Sequence, residues 1–394
     1  MKTMIKSEIL DKLFPDMIKA VDAIKKAIDD RKPIIIRHHL DSDGYTGGVA
    51  LERAILPLVN KKHTRERDAY YYFKRLPSKT PFYSQEDAIR DINSFTDVRS
   101  ISKAPLIIIC DNGSCTQDLD GIKLVMIYGA EVIVIDHHPP DPQIDKEVLV
   151  QINPHKIGST YDYCTGMLCS ELGYLINPKA EGLAFIAAVG GVADRVESKE
   201  FKEYLKLAQE KVEKEHIYNT AECLDYLGFL LNTLESRALV SDILDFSSER
   251  NLPLLKIIRK DITFNKKLQL ETNIKYHEKI ELKDRVLGKL NINLVKNRTG
   301  YPPRGKTTGM LHDWLKEKNK KHVITIGYTE SGISFRCSNE IEKFDVNEII
   351  ALLQKKMPYA QVSGGGHRVA GSITFIEAAF DDVMEFVVDY CKKC

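Results

Sequence analysis

Three short apolar runs in this chain end in the same way, and that recurrence limits the possible folds more than any other feature. Ile34-Ile-Ile-Arg-His38 runs into His39-Leu-Asp41-Ser-Asp43-Gly44, Pro105-Leu-Ile-Ile-Ile-Cys110 into Asp111-Asn-Gly113, and Glu131-Val-Ile-Val-Ile135 into Asp136-His137-His138-Pro-Pro140. β-Branched runs of this length without polar alternation are strands buried on both faces, as in parallel sheets covered by helices. The segments between them carry helical periodicity, for example Tyr45 to Asn60. A first helix is expected over 4–30, with apolar positions spaced three or four apart from Ile5 to Ile24. Alternating strands and helices of this kind predict an α/β fold: a mostly parallel, doubly wound sheet with helices on both faces. Such sheets place chemistry at the carboxyl ends of their strands, where acidic residues, histidines and glycines collect here.

At the first of these ends His39, Asp41 and Asp43 alternate. While the backbone stays extended, a period of two sends the three side chains to one side, and Gly44, Gly47 and Gly48 then let a helix begin close by. Taken alone, the segment would serve as well as a capped βα turn, because Asp and Ser are ordinary helix N-caps. Its recurrence at Asp111 and at Asp136, His137 and His138 favours a site. A fourth contribution is Asp194, which follows the small-residue apolar helix expected over Gly182 to Val192.

At 394 residues the chain should hold two domains or three. A first α/β domain is expected over 1–200, a charged helical connector over 201–285 and a smaller α/β domain over 286–394. In the last, strands are expected at Leu287 to Val295, His322 to Tyr328 and Gly332 to Cys337, with helices near Gly309 to Lys318, Asn347 to Lys356 and Glu377 to Cys391. The 57 Lys and Arg nearly balance the 56 Asp and Glu. A global basic field is thereby excluded, so any nucleic-acid contact must be local. No apolar run approaches the roughly 18 residues of a membrane span, which predicts a cytoplasmic protein with no membrane partner. The eight cysteines are scattered. Cys391 and Cys394 form a CxxC without the second pair that structural zinc requires, so the thiols are expected to be reduced and structural.

His39, Asp41, Asp43, Asp111, Asp136, His137, His138 and Asp194 make a donor set of carboxylates and imidazoles without thiolate. That set suits Mn²⁺ or Mg²⁺ better than structural zinc, and its size fits two ions better than one. In order, His39-x-Asp41-x-Asp43-Gly44, Asp111-Asn-Gly, Asp136-His137-His138 and Ala193-Asp194 resemble the four motifs of the DHH phosphoesterase superfamily. Gly364-Gly-Gly-His-Arg-Val-Ala-Gly371 resembles the glycine-rich signature of its associated DHHA1 domain. The resemblance covers most of the chain outside the connector, and the short two-domain layout looks most like archaeal RecJ-like single-strand nucleases.

The resemblance implies two divalent cations, Mn²⁺ in the first place with Mg²⁺ or Co²⁺ as alternatives. One would take His39, Asp41 and Asp111, the other Asp43, Asp111, His137 and Asp194, with Asp111 as the bridge. Asp136 would fix the tautomer of a neighbouring imidazole and His138 would contact the scissile phosphate or the leaving oxygen. His38 is expected to pack or to support a ligand. Gly364, Gly365 and Gly366 read either as a plain loop or as bare backbone that cradles a phosphate or sugar edge, with donors from His367 and Arg368 and help from Arg336 and Ser338. The cluster of Arg298, Tyr301, Arg304 and Lys306 reads as a solvated turn or a strand-tracking patch.

The function implied is a two-metal phosphodiesterase that degrades single-stranded DNA or RNA from one end by activated water, as a RecJ-like exonuclease in DNA repair. Its substrate would lie in a cleft between the domains, and replication or repair proteins would be partners. Small nucleotides are the alternative substrates: short oligoribonucleotides, cyclic dinucleotides or bisphosphorylated nucleosides. A metal-free replisome scaffold is the alternative of another class, disfavoured by the full ligand set.

Overall fold

The computed structural model describes residues 2–63, 69, 71–78, 80–96, 103–160, 162–231 and 237–394. Tyr70 and Lys79, the ends of a charged aromatic stretch, lie outside these. Two compact units divide the chain, Met1–Arg259 and Lys260–Cys394.

In the first unit, helix α1 (Glu8–Asp29) starts where the Ser7 side chain accepts a hydrogen bond from the Ile9 amide. Strand β1 (Ile34–His38) and helix α2 (Ser42–Lys62) follow, then β2 (Phe73–Pro77), α3 (Gln85–Thr96), β3 (Leu106–Cys110), α4 (Leu119–Ile127) and β4 (Glu131–Ile135). Next come α5 (Pro142–Glu147), β5 (Val150–Ile152), α6 (Thr165–Ile176), α7 (Leu183–Ala193), α8 (Lys199–Gln209), α9 (Lys214–Leu231) and α10 (Arg237–Ile243). Helix α11 (Asn251–Tyr276) spans the division between the units. The five strands form one all-parallel sheet in the order β2-β1-β3-β4-β5. On one face Ile35, Ile107, Ile109, Val132 and Val134 pack against Ile92 and Phe95 of α3 and Ile122 and Val125 of α4. On the other face α2 lies on β1 and α1 on β5. Double coverage explains why β1 and β3 are buried at every position and show no polar alternation.

The parallel register aligns the strand ends. His38 pairs with Cys110 and Cys110 with Ile135, so the residues that follow, His39, Asp111 and Asp136, emerge level at one edge of the sheet.

Strand β2 was not expected from the sequence. Its Phe-Lys-Arg-Leu-Pro carries two cations, yet Arg75 is buried because its Nε donates to the Glu52 carboxylate of α2. Arg37, inside the isoleucine-rich β1, is treated similarly. Its guanidinium donates to both oxygens of Asp91 and, at 2.8 Å, to the Pro77 carbonyl; it lies 3.5 Å from Asp87, while the Tyr83 hydroxyl donates to Asp91 at 2.9 Å. Arg37→Ala would leave Asp87 and Asp91 buried without their cation. It is expected to destabilise the first unit by about 3–5 kcal/mol in urea unfolding, whereas a loss below about 1 kcal/mol would mean the carboxylates find other partners.

The second unit contains β6 (Glu278–Glu281), β7 (Arg285–Asn291), α12 (Ile292–Val295), α13 (Arg304–Lys318), β8 (His322–Thr329), β9 (Gly332–Cys337), α14 (Val346–Lys356), β10 (Ser363–His367), β11 (Ala370–Thr374) and α15 (Phe380–Lys393). Its six-stranded sheet has the order β10-β11-β9-β8-β7-β6, antiparallel except for the β7–β8 pair. The strand expected to reach Val295 stops at Asn291, whose side chain accepts from the Asn293 amide and starts α12. The glycine run, read as loop or cradle, is strand β10 at the sheet's outer edge. All eight cysteines are free, and Cys391 and Cys394 lie in the core of this unit with Phe335 and Phe344. Among the described residues no helix is long and apolar enough to cross a membrane.

Candidate metal centre

The carboxyl ends of β1, β3 and β4 deliver the expected side chains, though not by an extended alternation at the first. The chain turns at Asp41 into α2, so Asp41 is the helix N-cap and Asp43 stands in the first helical turn. The capped turn is present, and the donors converge within it. Asp41 Oδ1 accepts from the Gly44 amide at 3.0 Å while Oδ2 lies 3.0 Å from His39 Nδ1. His39 Nδ1 is also 3.4 Å from Asp111 Oδ2. Asp111 itself sits at a left-handed φ of 59°, a conformation that turns the chain sharply at the end of β3 and that a non-glycine residue adopts at a cost in energy.

His137 is the second focus. Its Nε2 is 3.5 Å from Asp111 Oδ1 and 3.8 Å from Asp43 Oδ2, and its Nδ1 is 3.5 Å from Asp194 Oδ2. Asp194 is the C-cap of α7. Asp136 is fully buried and directs its Oδ1 to the His137 and His138 amides at 2.8 and 3.3 Å and to His138 Nδ1 at 2.8 Å. It therefore fixes the His138 tautomer with the proton on Nδ1, leaving Nε2 on a side chain 36% exposed.

His38 is not part of the cluster. It is buried, with Nδ1 donating to the His39 carbonyl at 2.7 Å and Nε2 accepting from Arg75 at 3.1 Å. Burial and the Arg75 charge push it down to about 3, so it stays neutral and acts as a strut beneath the His39 loop.

Two supporting residues escaped the sequence reading. At the start of α6 the Thr165 and Gly166 amides each donate to one Asp43 oxygen at 2.8 Å, and the Thr165 hydroxyl donates to Asp111 Oδ1 at 3.3 Å. A Cβ on Gly166 would collide with Thr46 Oγ1 and come within 3.0 Å of Asp43 Oδ1, so only glycine permits this approach. A Thr-Gly pair at a helix start is too common to be noticed without the fold.

The electrostatics of the cluster are dominated by its carboxylates. Burial and the neighbouring Asp111 push the Asp43 carboxyl well above the ordinary carboxylate range, and burial pushes Asp194 up to about 6. Burial would lower both His39 and His137, but Asp41 and Asp111 around the first, and Asp194, Asp111 and Asp43 around the second, raise them well above the ordinary histidine value. Carboxylates crowded into one buried volume are relieved by taking up protons or by positive charge among them. Two groups of donor atoms lie within 4.8 Å of one another: His39, Asp41 and Asp111, and Asp111, Asp136, His137 and His138. Asp111 belongs to both. Oxygen and imidazole donors without sulfur, in two groups sharing a carboxylate, fit a pair of hard divalent cations.

The residues expected to bind substrate divide differently. Gly364, Gly365 and Gly366 are exposed on β10, and His367 at its end is half-buried. Close pairing with β11 is enough to demand glycine at 364 and 366, since a Cβ on Gly366 would come within 2.5 Å of the Ala370 oxygen, whereas a Cβ on Gly365 would meet open space. Ser338 is buried and structural: its Oγ accepts from the Val323 amide at 3.0 Å and its own amide donates to the Val323 carbonyl at 2.9 Å. Arg368 turns into its own unit, donating to the carbonyls of Asn339, Ile341, Glu342 and Phe344 at 2.9–3.2 Å. These two are held by backbone and not presented as free donors, because loop carbonyls and a strand end beside them would otherwise be left unpaired. Arg336 lies half-buried on β9 and donates to the Phe335 carbonyl at 2.7 Å. Arg304 opens α13 and donates to Ser334 Oγ at 2.9 Å.

Comparison with known proteins identifies the family. Residues 33–191 match the DHH family, N-terminal domain. The chain is 33% identical over 421 aligned positions to Uncharacterized protein MJ1198 of Methanocaldococcus jannaschii, an alignment covering 99% of this chain and 55% of that protein. It is 28% identical over 186 residues to the single-stranded-DNA-specific exonuclease RecJ of Bacillus subtilis, covering 46% of this chain and 21% of that protein. The chain thus spans about half, or less, of the length of these relatives. Among solved structures, a member of the s1p family of ribosomal proteins, PF0399 DHH domain, superposes with a TM-score of 0.95 at 34% identity, covering 100% of this chain and 94% of that one. RecJ from Thermus thermophilus in complex with Mn²⁺ shares the fold, with a TM-score of 0.64 at 15% identity over 96% of this chain and 55% of that one. On the motifs, the fold and this likeness together, the chain belongs to the DHH phosphoesterase superfamily and has RecJ proteins among its relatives.

Proposed function

We propose that the protein is a divalent-metal-dependent phosphodiesterase, an exonuclease that hydrolyses single-stranded DNA or RNA, with Mn²⁺ as the expected ion. The observation that carries the reading is Asp111, a buried carboxylate common to both donor groups and close to His39 and His137 alike. His39, Asp41 and Asp111 would hold one ion, and Asp43, Asp111, His137 and Asp194 the other. Ions so held would supply Lewis-acid stabilisation of phosphoryl oxygens and make water a nucleophile at neutral pH.

The chain's own residues set the geometry. Thr165 and Gly166 fix the Asp43 carboxylate, and the φ of Asp111 aims its side chain between the ends of β1 and β4. Asp136 raises the His138 imidazole above its ordinary value against the effect of burial, so His138 can carry a proton on Nε2. In this reading His138 would give that proton to the oxygen that leaves when the ester bond breaks. Exposed β10, with His367 at its end, is the proposed grip on the nucleotide, its backbone presenting an edge that no other strand occupies among the described residues. The Mn²⁺ of the T. thermophilus protein and the single-stranded-DNA specificity named for the B. subtilis relative support the choice of ion and substrate.

The test is purified protein with Mn²⁺ and 5′- or 3′-labelled single-stranded DNA and RNA of several lengths, alongside a dinucleotide and a bisphosphorylated nucleoside. Stepwise shortening of the long strands from one end is expected, with a KM that rises steeply with salt because many phosphates are engaged. His367→Ala should raise that KM while metal stoichiometry stays at the wild-type value. Equal turnover of the dinucleotide with little salt dependence would transfer the protein to the small-nucleotide class, and no cleavage of any substrate would favour the scaffold.

A further inference from the structure

Asn112 follows Asp111 at the end of β3 and is 3% exposed, yet neither its Oδ1 nor its Nδ2 has a hydrogen-bond partner among the described residues. A carboxamide can make four hydrogen bonds, and burying it with none is destabilising, so native proteins keep such a group chiefly where function needs it. Its setting is equally uncommon. Register puts the end of β3 between the end of β1, which carries His39, and the end of β4, which carries His137. The same edge holds a further buried oxygen without a partner among the described residues, Ser78 Oγ just past β2. The Asn112 carboxamide and the Ser78 hydroxyl thus lie at the edge of the sheet that carries the metal-binding side chains.

We propose that the Asn112 carboxamide is a catalytic group: its Nδ2–H donates to a non-bridging oxygen of the scissile phosphate, the partner it lacks within the described protein. The proposal rests on the phosphodiesterase reading and deepens it. A neutral donor suits the position, since it adds no charge to a cluster already crowded with carboxylates and can follow phosphoryl oxygens whose negative charge grows toward the transition state. Asparagine offers that donor without a titratable group.

Asn112→Leu, close to asparagine in shape, separates this role from a structural one. If the amide has no partner in the folded protein, the variant should melt at or above the wild-type temperature and bind Mn²⁺ with wild-type stoichiometry. Titration of inorganic phosphate into the Mn²⁺-loaded protein should show affinity lower by about 10- to 100-fold, the usual weight of a hydrogen bond to a charged group. Turnover of bis(p-nitrophenyl) phosphate should fall about 100-fold. Wild-type phosphate affinity and turnover in the variant would overturn the proposal. A marked drop in melting temperature would also overturn it, by showing that the amide serves the fold, as would the loss of an ion, by showing that Oδ1 is a ligand. If the wild-type protein hydrolyses no phosphodiester, the phosphodiesterase reading falls, while the phosphate titration still decides whether Asn112 binds a phosphoryl group.

Discussion

Asp111→Ala is expected to reduce hydrolysis by at least about 1,000-fold and to leave at most one Mn²⁺ bound per chain. Asp111 is the residue common to both donor groups, and its oxygens lie on opposite sides, Oδ2 toward His39 and Oδ1 toward His137. Without it, two cations held by the remaining groups would face each other with no shared anion between them, and their mutual repulsion would expel one. The substitution also removes the acceptor of the Thr165 hydroxyl, but the two amides that hold Asp43 are untouched, so the second group should keep its shape. Thermal unfolding gives a readout independent of turnover. Ions that bind only the folded state raise its stability with concentration, so Mn²⁺ should raise the melting temperature of the wild type more than that of the variant. Two tightly held ions with retained turnover in Asp111→Ala would remove Asp111 from the bridging position.

The parts of this site that could be read from sequence are those where a polar residue interrupts an apolar run. His39, Asp111 and Asp136 follow strands made mostly of buried aliphatic residues, and parallel pairing makes their coincidence at one edge nearly unavoidable. The route of the chain from His39 to Asp43 differs from the expected one. An extended period of two was expected, whereas the chain turns at Asp41 and Asp43 reaches the site from the first turn of α2. Alternation in sequence and the turn of a helix both bring residues 41 and 43 near residue 39, so the ligand pattern alone does not distinguish them.

Residues that act through their backbone were not legible. Thr165 and Gly166 contribute amides, and an amide has no residue type. Strand β2 was hidden because Arg75 contradicts the apolar signature, and only its pairing with Glu52, on a helix that follows the neighbouring strand, makes it admissible inside the fold. Ser338 and Arg368 have the chemistry of substrate donors and the surroundings of structural ones, a distinction made by the backbone groups beside them. In each case the deciding partner is distant in sequence.

Gly44→Ala is the substitution for which sequence and structure predict opposite signs. Gly44 stands inside α2, where replacing glycine by alanine ordinarily stabilises a helix by about 1 kcal/mol. Its backbone is not among those with positive φ, so helix propensity alone would favour the change. Space forbids it. A Cβ on Gly44 would fall on the His39 carbonyl oxygen, with the carbonyl carbon at 2.7 Å and the His39 nitrogen at 2.8 Å. These are backbone atoms, and His39 cannot retreat cheaply, since its amide donates to the Cys110 carbonyl at 3.2 Å and its carbonyl accepts from His38 Nδ1 at 2.7 Å. The start of α2 must move instead, taking with it the Asp41 cap and Asp43. The net expectation is destabilisation by about 1–3 kcal/mol, with Mn²⁺ affinity lower by about 10- to 100-fold because the ligands on either side of Gly44 are displaced together. Gly47→Ala serves as the control in the same helix, for its Cβ would meet only side-chain atoms, Cys169 Sγ at 3.3 Å, Thr165 Cγ2 at 3.4 Å and Cys110 Cβ at 3.7 Å. Urea unfolding and Mn²⁺ titration of the two variants decide the matter. If Gly44→Ala is the more stable of the pair and binds Mn²⁺ as the wild type does, the glycine is not what holds the end of β1 against the start of α2.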